Sequence, residues 1–273
     1  MIDVTDDRGR RVVLGRPAMR IVSLVPSLTE TLFTLGVGEH VVGITRYCTE
    51  PAGAVERVAR VGGTKNPDLA RLRSLAPDLV VMNAEENRRE DFETLEERGV
   101  PLFVSFPRRV ADVPGLVRHL GTLVGAEAAA ERLAAATERA IAAVAHPATA
   151  ARCRIFCPIW KNPWMSFNAD TYDDDLLWSV GGHNVCRDRA ERYCGVELEE
   201  VAAGAPEVIL LPDEPYVFGP KDLASLTPLA DTPASRSGRI HFIDGKALSW
   251  YGPRTATALG YLHDVIWAQS GRA

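Results

Sequence analysis

Flat aromatic rings beside charged or amide side chains recur at three places in the second half of the chain. They are Trp160-Lys161-Asn162-Pro163-Trp164-Met165, Glu214-Pro215-Tyr216 and Ser249-Trp250-Tyr251-Gly252-Pro253-Arg254. In the first half, Tyr47 and Thr64-Lys65-Asn66 hold comparable places. Each group comes after a short apolar run, and the loops that follow strands in α/β sheets frame the ligand crevice. Such rings and cations suit a large, partly planar ligand with polar edges, gripped by stacking and cation–π contacts. Any one ring alone could equally cap an apolar core. Recurrence after successive strands is what favours a pocket.

Catalysis finds no anchor. The chain has no GxGxxG, P-loop, GxSxG or HExxH, so the common nucleotide, hydrolase and metalloprotease chemistries lack their signatures. Six histidines (40, 119, 146, 183, 241 and 263) are scattered without a ligand-like pair. Cys153 and Cys157 fall in an apparent strand whose four residues span about 13 Å, too far to share one metal. Cys186 and Cys194, with His183 nearby, match no zinc spacing. A metal-cluster reductase or synthase would need cysteines converging between two lobes, which these spacings do not supply. The expectation is therefore a non-enzyme with no metal and no intrinsic cofactor. Asp173-Asp174-Asp175 reads as the start of a helix, where carboxylates meet the positive end of the dipole.

The elements that must position the rings alternate strand and helix. Apolar runs at Ile21–Val25, Val41–Ile44, Leu79–Met82 and Leu102–Ser105 read as buried strands, with helical stretches such as Leu69–Leu75 between them. After Pro26, Ser27 with Glu30 three residues on forms a capping-box pattern for a helix that Gly36 stops. Further strands are expected at Arg154–Phe156, Val208–Leu211 and Ile240–Ile243. Alternation of this kind favours largely parallel sheets. Between the halves, Ala126 to His146 carries eleven alanines in 21 residues, with Leu133, Thr137, Ala140, Ile141 and Val144 on one face. It reads as one helix about 32 Å long, ended by Pro147.

The halves echo each other. Leu69 to Met82 aligns without gaps on Leu198 to Leu211, each a helix meeting Ala-Pro-acid and then a strand. Phe33-Thr34-Leu35-Gly36 is answered by Trp178-Ser179-Val180-Gly181. Two similar lobes place a ligand cleft between them. The expected domains are an N-terminal α/β lobe over 1–124, a connecting helix over 125–147 and a C-terminal α/β lobe over 148–273.

Composition agrees with a folded binder. The chain of 273 residues is 46% hydrophobic and 25% charged, ordinary values for a protein with a sizeable core. A net charge of −5 and a pI near 5.7 exclude a phosphate-neutralising surface, so no nucleic-acid partner is expected. No run approaches the roughly 20 apolar residues of a membrane helix. Met1 to Arg8 lacks a secretory apolar core, so the chain is expected in the cytoplasm if Met1 is the native start and outside it if a leader was trimmed. Five cysteines, an odd number, read as reduced buried thiols rather than a complete disulfide framework.

Arg20-Ile21-Val22-Ser23-Leu24-Val25-Pro26-Ser27-Leu28-Thr29-Glu30, Val61-Gly62-Gly63 and Ala76-Pro77-Asp78-Leu79-Val80 resemble the class III, helical-backbone substrate-binding proteins of ABC importers. These are receptors for vitamin B12, haem and iron-siderophores. Asp6-Asp7-Arg8-Gly9-Arg10 is similar to the opening of their mature domains, and the likeness runs over nearly the whole chain. Trp160 to Trp164, Glu214 to Tyr216 and Ser249 to Gly252 look closest to a cobalamin-binding-like subgroup. The resemblance implies two Rossmann-like lobes joined by a single long helix, with a corrinoid, haem or iron-siderophore held in the cleft. It implies a ligand-lining role for Tyr47, Thr64, Trp164, Tyr193 and Trp250, beside the residue-based candidates Lys65, Asn66, Trp160, Glu214, Tyr216, Tyr251 and Arg254. Thr64 stands where one branch stacks a tryptophan on B12. Family members offer a glutamate from each lobe to arginines of the permease. Glu199 matches the second, while the first falls at Ala70 with Asp68 close by. An ABC permease partner and a monomeric state are implied. The alternative is a cytoplasmic binder or sensor of the same cofactors, not coupled to a permease.

Overall fold

The computed structural model describes residues 1–145 and 150–268. The chain forms two compact units, one built from Met1–Pro107, Ala111–Glu138 and Tyr251–Pro253, the other from Arg108–Val110, Arg139–Trp250 and Arg254–Ala273.

The first unit begins with an antiparallel pair, β1 (Ile2–Thr5) and β2 (Arg11–Leu14). A parallel sheet follows, made of β3 (Ile21–Ser23), β4 (Val41–Ile44), β5 (Ala59–Arg60), β6 (Leu79–Asn83) and β7 (Leu102–Ser105). Its order is β5-β4-β3-β6-β7, so the winding reverses between β3 and β6. Helices α1 (Pro26–Thr34), α2 (Leu69–Ser74), α3 (Arg89–Glu97) and α4 (Val113–Val124) connect or flank the strands. Every residue of β6 is buried, the signature of a strand covered on both faces. The core against α2 and α3 gathers Val22, Leu72, Val80, Met82, Leu95 and Leu102. The β1–β2 turn closes the sheet's edge: Val104 N donates to Asp6 Oδ2 at 3.3 Å, Phe106 N to Asp7 Oδ2 at 2.6 Å, and Asp7 N to Val104 O at 3.2 Å. Edge amides that would template another strand are thereby used up.

Helix α5 (Glu127–Val144) starts in the first unit and ends in the second. It buries Ala130, Ala134 and Thr137; Thr137 belongs to the expected stripe, whose other members Leu133, Ala140, Ile141 and Val144 are half-buried. Its expected end at His146 and Pro147, and the boundary drawn after 147, lie outside the described residues.

The second unit holds β8 (Cys153–Phe156), β9 (Met165–Phe167), β10 (Gly182–Asn184), β11 (Tyr193–Gly195), β12 (Val208–Pro212) and β13 (Ile240–Ile243). A parallel sheet runs β10-β8-β12-β13, and β9 pairs antiparallel with β11. Around them lie α6 (Tyr172–Ser179), α7 (Leu198–Ala203), α8 (Pro233–Arg236), α9 (Gly245–Ser249) and α10 (Thr255–Trp267).

The internal echo extends to backbone geometry. Helices α2 and α7 and strands β6 and β12 occupy equivalent positions, and Ala76 and Ala205 share φ +46°. Each alanine turns the chain so that its carbonyl accepts an arginine Nε, from Arg20 at 3.2 Å and from Arg154 at 2.9 Å. The acid two residues on then accepts the same arginine's backbone N–H, Asp78 from Arg20 and Glu207 from Arg154, both at 2.9 Å. The Ala-Pro-acid motif thus ties the start of one strand to the start of its neighbour. Gly36 and Gly181, at φ +84° and +87°, end the matching helices α1 and α6.

One start signal is corrected. Helix α1 takes Pro26 as its first residue and Val25, not Ser27, as its N-cap, since proline's fixed φ suits the first helical turn. Asp173, Asp174 and Asp175 do open α6, with Thr171 capping Asp174 N.

Candidate functional site

In the second unit, candidate rings lie on the chain after β8, β12 and β13, and those after β8 and β12 meet. After β8 come Trp160 and Trp164; after β12 come Glu214, Tyr216 and Phe218. Trp160 meets Tyr216 edge-on with centroids 5.8 Å apart, and Trp164 stacks on Phe218 at 5.8 Å with planes 7° apart. Tyr216 and Phe218 pack at 4.6 Å. Phe218 is buried in the unit's core, so the group is anchored from below while Trp160 stays exposed. The winding of this sheet reverses between β8 and β12, where doubly wound sheets hold their ligands.

Charged partners fix these rings. Lys161 Nζ donates to Asp222 Oδ1 at 2.8 Å, and the Tyr216 hydroxyl donates to the same oxygen at 3.1 Å. Gly219 N donates to Asp222 Oδ2 at 3.0 Å. Lys161 holds the Asp222 carboxyl below the usual carboxylate range. Trp250, beyond β13 and α9, lies under two cations: Lys246 Nζ at 5.1 Å and the Arg254 guanidinium at 5.4 Å from its centroid. Burial pushes the Glu214 pKa up, opposed by the neighbouring Trp250 side chain and the charge of Lys246. Gly245 explains the close approach of these loops. A Cβ there would lie 2.7 Å from Glu214 N and 2.8 Å from Glu214 O.

The first unit assembles a second group from the loops after β4, β5 and β6. Tyr47 is 54% exposed, with the Arg46 guanidinium 5.5 Å from its ring. Arg46 Nη2 donates to Asn66 Oδ1 at 3.1 Å. Lys65 Nζ donates to Glu85 O, and Asn87 Nδ2 to Thr64 O at 3.0 Å. Thr64, Lys65 and Asn66 are thus pinned to neighbouring loops.

Two of the candidate rings are buried, Trp250 at 8% exposed and Tyr251 at 5%, and the Tyr251 hydroxyl accepts from Asn83 Nδ2 at 2.8 Å and pairs with Ser105 Oγ at 3.0 Å, at the ends of β6 and β7. Gly252 beside it packs on Thr31 at φ +109°. These contacts put Tyr251–Pro253 with the first unit and give Tyr251 an anchoring place, its ring embedded rather than presented. Tyr193 opens β11 opposite Phe167 and is 39% exposed.

Glu199 is exposed in the first turn of α7, next to Glu200, which pairs with Arg189. Ala70 is exposed in the equivalent place on α2, and nearby Asp68 caps that helix by accepting from Arg71 N at 2.9 Å.

All five cysteines are buried and unbridged, and burial raises the thiol pKa values, Cys186 to about 11. Among the described residues no His, Cys, Asp and Glu group could hold a metal ion, and no helix is long and apolar enough to cross a membrane. Sequence reasoning passed over Phe218, Asp222 and Lys246. Only the helix-starting spacing Gly219-Pro220-Lys221-Asp222 gave a signal for Asp222, and that signal speaks of a cap, not of the loops it joins.

The family described as Periplasmic binding protein matches residues 21–247. The chain is 26% identical over 198 residues to the vitamin B12-binding protein of Vibrio parahaemolyticus, covering 71% of each. Among solved structures it is similar to the periplasmic heme-binding protein RhuT from Roseiflexus sp. RS-1 (TM-score 0.81, 29% identity, 93% of this chain and 99% of that one). The periplasmic vitamin B12 binding protein BtuF of Vibrio cholerae shares the fold with a TM-score of 0.81 at 20% identity, over 94% and 99% of the two chains.

Proposed function

The chain belongs to the periplasmic binding protein family, and from that premise we propose that it carries a corrinoid, haem or iron-siderophore to an ABC permease outside the cytoplasm. Members of this family bind; they are not enzymes. The observation that carries the proposal is the convergence of Trp160, Trp164, Tyr216 and Trp250 with Lys161, Lys246 and Arg254 at the strand ends of the second unit. Trp160, Trp164 and Tyr216, fixed from behind, offer ring faces to a planar macrocycle, while Trp250, 8% exposed, backs the site beside Lys246 and Arg254. Similar proteins named for vitamin B12 and for heme support this ligand class. In the first unit Tyr47 and Thr64 to Asn66 supply further contacts, and Glu199 docks the permease. The protein acts as a monomer.

The test is direct. Protein exposed separately to cyanocobalamin, haemin and a ferric catecholate, then desalted, should keep the absorption spectrum of one of them. Three colourless eluates would refute the proposal. A second reading, in which no permease is engaged, is favoured by exposed Ala70 where the repeat places Glu199 in the other unit. Glu199→Lys separates the two. On the transport reading it leaves ligand affinity unchanged and abolishes stimulation of the permease ATPase.

A further inference from the structure

Asp222 belongs to none of the aromatic motifs, yet it touches two of the loops that carry them. Its side chain is 2% exposed. One oxygen takes Lys161 Nζ at 2.8 Å and the Tyr216 hydroxyl at 3.1 Å; the other takes Gly219 N at 3.0 Å. Lys161 sits between Trp160 and Trp164 in sequence, and its own side chain is only 15% exposed. Tyr216 meets Trp160 edge-on and packs on Phe218, which stacks on Trp164. Every ring of the group is thus within one contact of a group that Asp222 holds.

We infer that Asp222 is the positioning residue of the second unit's site, a buried carboxylate that fastens the loop after β8 to the loop after β12 and so sets the spacing of Trp160, Trp164 and Tyr216 before ligand arrives. The chemistry argues for this role over ligand contact. Three donors fill most of the carboxylate's about four acceptor positions, and a side chain 2% exposed is out of a guest's reach. A whole buried ion pair adds little net stability over apolar packing, although losing one partner is costly, so what this pair supplies is a fixed arrangement of the two loops. Rings held in place beforehand bind without the ordering cost that loose ones incur. The inference rests on the proposed function for its consequence, though the tether itself does not.

Two arms of one experiment keep these apart. Asp222→Asn keeps the side chain's shape and removes its charge, while Tyr216→Phe removes one donor and leaves the fold's apolar packing intact. In the absence of ligand, hydrogen exchange should rise in residues 157–164 and 213–219 of Asp222→Asn and stay unchanged in the first unit. Exchange identical to wild type would overturn the tether whether or not any ligand binds. In the second arm, the dissociation constant for whichever of cyanocobalamin, haemin or ferric catecholate the wild type retains should weaken about tenfold in Asp222→Asn and about threefold in Tyr216→Phe, with the double variant little worse than Asp222→Asn alone, as coupled neighbours behave. Losses that multiply independently, or an affinity within twofold of wild type, would overturn the positioning role. Asp222→Glu, which restores the charge, should recover part of the affinity; a generic packing defect would not. Raised exchange in a protein that binds none of the three probes would leave the tether standing and overturn both its role in affinity and the functional reading.

Discussion

Gly245→Ala probes the meeting of the β12 and β13 loops with a single methyl group. The new Cβ would lie 2.6 Å from Glu214 Cγ, 2.7 Å from its N and 2.8 Å from its O. Two of those atoms are backbone, so no rotamer change relieves the contact. Restoring an ordinary 3.4 Å separation requires the Glu214 backbone to retreat by about 0.7 Å. Overpacking of this kind costs about 1–3 kcal/mol. Against it, alanine in a helix gains about 0.5–1 kcal/mol over glycine. The net loss of about 1 kcal/mol should lower the melting temperature by about 2–4 °C. The larger effect falls on binding. The retreat shifts Glu214, which the charge of Lys246 also reaches, and strains the 2.7 Å bond from Gly245 N to Asp213 Oδ1. Ligand affinity should fall about tenfold, the equivalent of about 1.4 kcal/mol. Differential scanning calorimetry and absorbance titration read the two effects separately. A variant that melts and binds like wild type would refute the claim that these loops meet tightly enough to set the site.

Tyr251→Phe leaves the buried Asn83 amide and Ser105 hydroxyl each short of a partner, and should cost about 1–3 kcal/mol by denaturant unfolding. No change in midpoint would show that the hydroxyl anchors nothing. Glu214→Gln should raise the melting temperature at pH 7.5. Burial lifts the wild-type pKa, so folding favours the protonated acid below the unfolded pKa, and that advantage disappears as pH rises through the folded one. The difference between the two proteins should shrink as pH falls toward 4; a constant difference would contradict the assignment. Asp222 has the opposite sign. Its lowered pKa contributes stability above the ordinary carboxylate range that is lost on acidification, so Asp222→Asn should be less stable at pH 7 and converge on wild type in acid.

The parallel sheets were legible in the sequence because their strands are covered on both faces and read as unbroken apolar runs, as in Leu79 to Met82 and Val208 to Leu211. The repeat was legible because Ala-Pro-acid performs a definite backbone task in both units. Short strands escaped notice. β1 and β2 alternate buried and exposed residues within a polar opening, and β9, β10 and β11 are three residues each, too brief for a period to show. Of the candidate residues, the rings after β8, β12 and β13 announced themselves by type, since tryptophan and tyrosine beside cations are scarce in loops. Tyr251 was indistinguishable from Trp250 in sequence. Only its contacts with Asn83 and Ser105 reveal that adjacent rings have different tasks. Asp222 was silent because a lone aspartate after Gly-Pro looks like a helix cap, and its partners Lys161 and Tyr216 are remote in sequence.

The five tryptophans provide the most direct test of the central claim. Trp178 is sandwiched between Arg152 at 3.4 Å and Arg187 at 3.9 Å, and Trp267 donates its indole N–H to Val180 O at 2.8 Å, both away from the candidate loops. Replacing each tryptophan in turn by leucine keeps an apolar side chain and removes the flat π face. The dissociation constant for the retained chelate, read from the chelate's own absorbance, should rise at least about fivefold for Trp160, Trp164 and Trp250 and stay within twofold for Trp178 and Trp267. Losses spread evenly over all five, or confined to Trp178 and Trp267, would contradict the account.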